Sequence, residues 1–275
     1  DIVGNGIAAF PLILLFIYGG EFARGAYGAG ASIASVVSYS SSLAFALYPR
    51  LLSKSTGEDV SISLRLVMMF AIPMTVGIMV LSDSYLTVLN YVYAEARLIL
   101  ILLAMNFLWV GLSPVFSTII AGTERVDAKA KIALRELIKS RLFLLSTLPY
   151  IQSAVTLPTT CFILLFIAKT PLEAATYVAL ITLLTNSAIV IVRYALARKC
   201  LAFNLPWNSI SKYLLASAAM ATLLLVIPSP TRLSMTVAFT LLGAAVYLTV
   251  VALIDKEARS LLNSVIREVM RIIRF

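Results

Sequence analysis

Apolar residues in this chain come in long runs rather than in the one-face stripe of a soluble helix, and each run closes on a short cluster of charged or turn-forming residues. Crossing roughly 30 Å of hydrocarbon takes about 20 helical residues. Eight runs come near that length: 2–18, 26–48, 64–82, 97–120, 142–168, 172–193, 210–227 and 233–254. The connectors at 19–25, 169–171 and 228–232 are too short for domains, which makes successive helices antiparallel hairpins. The pattern predicts an all-α integral membrane protein with about eight transmembrane helices. Residues 255–275 place Ala258, Leu261, Leu262, Val265, Ile266, Val269, Met270 and Ile273 at helical spacing, with Arg259, Arg267, Arg271 and Arg274 among them. This predicts an amphipathic tail helix along the inner leaflet, either as an interfacial anchor beside anionic lipid or as a regulatory contact for a partner or lipid.

Composition agrees with the membrane assignment. Of 275 residues 61% are hydrophobic and 13% charged, and mean hydropathy is +0.98, whereas a soluble domain is nearer a quarter charged. The absence of histidine removes imidazole proton relays, Ser-His-Asp triads and His-based metal sites. Cys161 and Cys200 alone make no metal site and fall at opposite depths of the expected bilayer. No cofactor and no nucleic-acid partner is expected. The chain starts at Asp1 inside an apolar run, with no initiator Met and no signal sequence, and is expected to be a piece of a longer protein.

Charge sets the orientation, because Lys and Arg in short loops stay on the cytoplasmic side. With eight spans, all but four of the 22 basic residues fall on one side, and the other side holds Arg24, Arg97, Lys169 and Arg232. The expectation is a multi-pass protein of the cytoplasmic membrane with both termini in the cytoplasm.

Candidate chemistry is sparse. Glu21, Asp83, Glu95 and Glu173 sit near the outer ends of spans, so no carboxylate is buried at mid-depth as ion-coupled carriers usually require. Neutral groups occupy that depth: Asn5, Thr75, Asn106, Gln152, Thr156 and Asn186. Pro11, Pro73, Pro114, Pro149 and Pro158 fall inside spans, as happens in transporter helices and also in helices kinked only for packing. The second span is small on every face, from Gly25, Gly28 and Gly30 through Ser32, Ser35 and Ser38 to Ser42, with Tyr27 and Tyr39 standing out. Such a helix suits close packing or a polar cavity wall, its tyrosines being candidate surfaces for a sugar.

Several motifs occur in a telling order. Tyr27-Gly28-Ala29-Gly30 is followed by Ala46-Leu47-Tyr48-Pro49-Arg50-Leu51-Leu52-Ser53, Leu81-Ser82-Asp83-Ser84-Tyr85-Leu86, Tyr93-Ala94-Glu95-Ala96 and Ile119-Ile120-Ala121-Gly122-Thr123-Glu124-Arg125. In order and spacing this resembles the polysaccharide flippases of the multidrug/oligosaccharidyl-lipid/polysaccharide superfamily. The resemblance implies a V of two six-helix lobes that alternate access. It makes 1–196 the C-terminal lobe, 197–254 two additional helices and 255–275 a cytoplasmic tail, with the N-terminal six-helix lobe missing from this chain as a partner. It further implies a lipid-linked glycan as cargo, membrane lipids around it, and no bond made or broken. Relatives that flip lipid II carry an arginine in the outer half of the second span where this chain has Gly30, which favours the polysaccharide branch. Arg24, Tyr27, Tyr39, Asn5 and Arg50 become candidate substrate contacts. Arg24 then faces a diphosphate, or else pairs with Glu21 at the interface. Rival functions are a drug or metabolite exporter of the same superfamily, a multi-span polyprenyl-sugar glycosyltransferase and an inactive membrane scaffold.

Overall fold

A computed structural model describes residues 10–42, 57–123, 140–227, 230–256 and 258–260. Asn5, Arg50, the 46–53 motif and the tail beyond residue 260 lie outside them. The helices, in chain order, are α1 (Phe10–Ala34), a 3₁₀ segment (Ser35–Ser41), α2 (Gly57–Val80), α3 (Ser82–Leu89), a second 3₁₀ segment (Tyr91–Ala96), α4 (Arg97–Thr123), α5 (Arg141–Phe166), α6 (Pro171–Cys200), α7 (Trp207–Val226) and α8 (Leu233–Ile254). No strand occurs among the described residues. Among the described residues six helical stretches are long and apolar enough to cross a membrane: α2, 91–122, most of α5, and α6, α7 and α8. The expected spans 2–18 and 26–48 both extend beyond the described residues. The chain is an all-helical, multi-pass membrane protein.

Local chemistry accounts for where these helices begin and end. Ser140 caps α5 by accepting from the Phe143 N–H at 3.1 Å. Thr170 caps α6 with Pro171 in its first turn; its hydroxyl accepts from the Glu173 N–H at 3.2 Å while the Glu173 carboxylate accepts from the Lys169 N–H at 3.0 Å. α2 starts seven residues before the expected position because Glu58 and Asp59, charged but acidic, suit the positive end of the helix dipole. α6 runs on to Cys200, seven residues past the expected end at Arg193, with Arg198 and Lys199 in its last turn.

Two expectations for the N-terminal part are corrected. Residues 19–25 do not form an open connector; helix continues on both sides of one break at Gly20, whose φ of 75° and ψ of −173° are open only to glycine. Residues 26–48 are not one continuous α-helix, because Ser35–Ser41 tightens into a 3₁₀ helix. Serine spacing explains this. Ser32 donates to the Gly28 carbonyl, Ser35 to Ser32, Ser38 to Ser35 and Ser41 to Ser38, at 2.7 to 2.9 Å. Hydroxyls three residues apart each bond one turn back, and a three-residue turn lines them up in a row.

Contacts sort the helix ends into two sets. At one end Asp83 pairs with Arg97 at 3.1 Å, and a Cβ placed on Gly19 would touch that of Ala174. At the other Arg141 donates to Cys200 Sγ at 2.9 Å, Lys212 pairs with Asp255 at 3.6 Å, and Gly57 meets Ala202. The largest core cluster joins α1, α4 and α6, a second joins α2, α4 and α6, and a third seats α7 and α8 on α2, where the Tyr247 hydroxyl donates to the Met69 carbonyl at 2.6 Å.

Candidate functional site

The second half of α1 and the 3₁₀ segment present two unlike faces. Ala23, Ala26, Tyr27, Gly30, Ala34, Val37 and Ser40 are buried against neighbouring helices. Glu21, Arg24, Gly28 and Ser32 are exposed at helical spacing, and Val36, Tyr39 and Ser42 continue the exposed side in the three-residue period of the 3₁₀ turn, so that the row is polar apart from Gly28 and Val36. Gly111 of α4 permits this placement, since a Cβ there would lie 3.3 Å from Ser40 Oγ and 3.6 Å from Ser38 Cα. A polar stripe along one side of a membrane-depth helix is costly against acyl chains and suits water or a polar ligand.

The candidate residues divide accordingly. Arg24 is exposed on the stripe, its guanidinium carbon 5.5 Å from the centroid of the Phe16 ring, and the pairing with Glu21 does not form. Tyr39, 66% exposed, stands out from the 3₁₀ segment. Tyr27 takes the other direction: it is buried, with its hydroxyl toward Thr182 of α6. Ser32, Ser35, Ser38 and Ser41 spend their protons on their own backbone, which leaves their oxygens as acceptors.

Behind the stripe lies a polar seam. Of the neutral groups at depth, Thr75 and Thr156 donate to the carbonyls of Ala71 and Gln152, each at 2.8 Å, and are satisfied within their own helices. Gln152 Nε2 donates to Asn186 Oδ1 at 2.7 Å, and Asn186 Nδ2 donates to Asn106 Oδ1 at 2.7 Å, a relay across α5, α6 and α4. Seven residues further along both helices the Arg193 guanidinium donates to Ser113 Oγ. Both α4–α6 rungs join residues 80 apart in sequence. α4 and α6 are therefore parallel and in constant register, with a heptad between polar rungs. The sequence names Asn106, Gln152 and Asn186 as separate groups and puts Arg193 at the end of the expected span 172–193. The signal was the shared seven-residue spacing of Asn106 to Ser113 and Asn186 to Arg193.

Asp83 and Glu173, two of the outer carboxylates, are engaged with Arg97 and the α6 cap. No group of three His, Cys, Asp or Glu gathers among the described residues.

Fold and surface together define a multi-pass helical membrane protein with one polar helix face and a polar seam behind it. The chain matches no protein family, no curated protein and no solved structure.

Proposed function

We propose that this chain forms one lobe of a transporter that moves a lipid-linked oligosaccharide from the cytoplasmic to the outer leaflet of the cytoplasmic membrane. The observation that carries this reading is the exposed row Glu21, Arg24, Ser32, Tyr39 and Ser42, interrupted by Gly28 and Val36, on a segment whose opposite face is buried. Serine oxygens and Tyr39 offer acceptors and an aromatic face to a glycan, and Arg24 offers a guanidinium fork to the linking diphosphate. The lipid tail remains in the surrounding hydrocarbon, so a six-helix partner lobe is needed only to close the polar half of the path. Asymmetric placement of Lys and Arg favours an orientation with the Gly57, Cys200 and Asp255 ends in the cytoplasm.

The test is water access along the stripe, combined with flux. In the full-length protein, cysteines at positions 28, 32 and 39 are expected to react with a water-soluble thiol reagent and to be shielded by lipid-linked glycan, while one at the lipid-facing position 155 stays unreactive. Unreactive stripe positions, or normal glycan export with leucine at 32 and 42, would refute the proposal.

A further inference from the structure

A polar cavity of about 500 Å³ lies at the opposite end of the fold from Arg24. It is bounded by the first turns of α2 and by the strap between α6 and α7, and its lining includes Gly57, Glu58, Ser61, Arg65, Arg198 and Asn204. The strap is fixed against α2. A Cβ at Gly57 would come within 2.3 Å of the Ala202 carbonyl oxygen, and Ser61 Oγ donates to the Asn204 carbonyl at 2.9 Å. Arg198 is held as well, its guanidinium 5.8 Å from the Tyr194 ring centroid and donating to the Tyr194 hydroxyl at 3.3 Å. Phe203 anchors the strap from below by packing on Phe116 and Tyr194.

Two guanidiniums and one carboxylate thus share a preformed polar space at the membrane edge where most basic residues collect. Guanidinium forks match phosphate oxygens, and a cavity whose walls are held in place loses little freedom when it fills. We infer that this cavity binds a phosphate group, supplied either by the headgroup of an anionic lipid of the inner leaflet or by a soluble phosphate compound. It is separate from the polar stripe and does not depend on the cargo proposed for that surface.

The experiment uses the purified 275-residue chain. In one arm it is placed in nanodiscs of phosphatidylcholine with a minor fraction of phosphatidylglycerol, and retained lipid is counted by native mass spectrometry. In the other, inorganic phosphate is titrated onto lipid-depleted protein in neutral detergent. Wild type should retain phosphatidylglycerol selectively, or bind phosphate saturably, which distinguishes the two sources. Arg198→Gln, at an exposed position, should reduce that binding roughly tenfold, the weight of one charge-assisted hydrogen bond. Glu58→Gln should increase it, and Arg232→Gln at the other end should leave it unchanged. The inference is overturned if neither phosphate source binds the wild type. It is equally overturned if Arg198→Gln and Arg232→Gln behave alike, since the lipid would then be answering only to net charge.

Discussion

Arg24 and Phe16, each four residues from Gly20, meet across the break in α1, with the guanidinium carbon 5.5 Å from the ring centroid. An exposed cation over an aromatic face contributes about 0.5 to 1 kcal/mol. The contact holds the arginine at the end of the stripe without using any of its N–H donors, which stay available to an anion.

Under the proposed function, Arg24→Ala should abolish most outer-leaflet exposure of lipid-linked glycan at equal membrane abundance, and Arg24→Lys should keep part of it. Phe16→Leu should lower flux only a few-fold, because it loosens the guanidinium without removing it. Measured flux equal to wild type in Arg24→Ala would place the diphosphate elsewhere.

Gly20 and Gly28 should respond oppositely to alanine. Gly20 holds a conformation that costs other residues about 1 to 3 kcal/mol. Gly28 is helical with open space around a Cβ, so alanine there should stabilise by up to about 1 kcal/mol. Thermal unfolding in detergent should shift down for Gly20→Ala and up, or not at all, for Gly28→Ala.

The Asn106–Asn186 rung should show as a coupling energy. Interhelical hydrogen bonds in membranes contribute about 0.6 kcal/mol on average and up to about 1.7. A double-mutant cycle with Asn106→Ala and Asn186→Ala is expected inside that range, above its average because Asn186 also receives Gln152. A coupling indistinguishable from zero would mean that the rung contributes nothing to stability.

Orientation is checked by labelling. Single cysteines replacing Arg97 and Lys199 lie at opposite helix ends, and an impermeant thiol reagent added to intact cells should modify position 97 and spare 199. The reverse result would invert the proposed topology.

The existence of six spans, α2 and α4 to α8, was legible from hydropathy because it depends only on run length, and α8 begins and ends at the anticipated residues. The stretch 19–48 was not legible in this way. What escaped was anything set by a neighbour. Glu58 and Asp59 read as a loop until their place in the first turn of α2 is known. The 3₁₀ segment was written in the three-residue serine spacing, a period easily missed beside the 3.6 of an α-helix. Tyr27 and Tyr39 looked equivalent along the chain; contact with α4 and α6 buries one and leaves the other projecting. The relay through Asn186 needed three helices in place before its members could be joined.

A constant offset of 80 residues at two levels also has a mechanical meaning. A slip of a whole heptad, about 10 Å, would set Asn186 against Ser113 and leave Asn106 and Arg193 without partners. Any smaller displacement unpairs both levels together. The pair therefore resists sliding, and the glycine break and the tightened serine turn alongside it are the places where the neighbouring backbone departs from a regular α-helix.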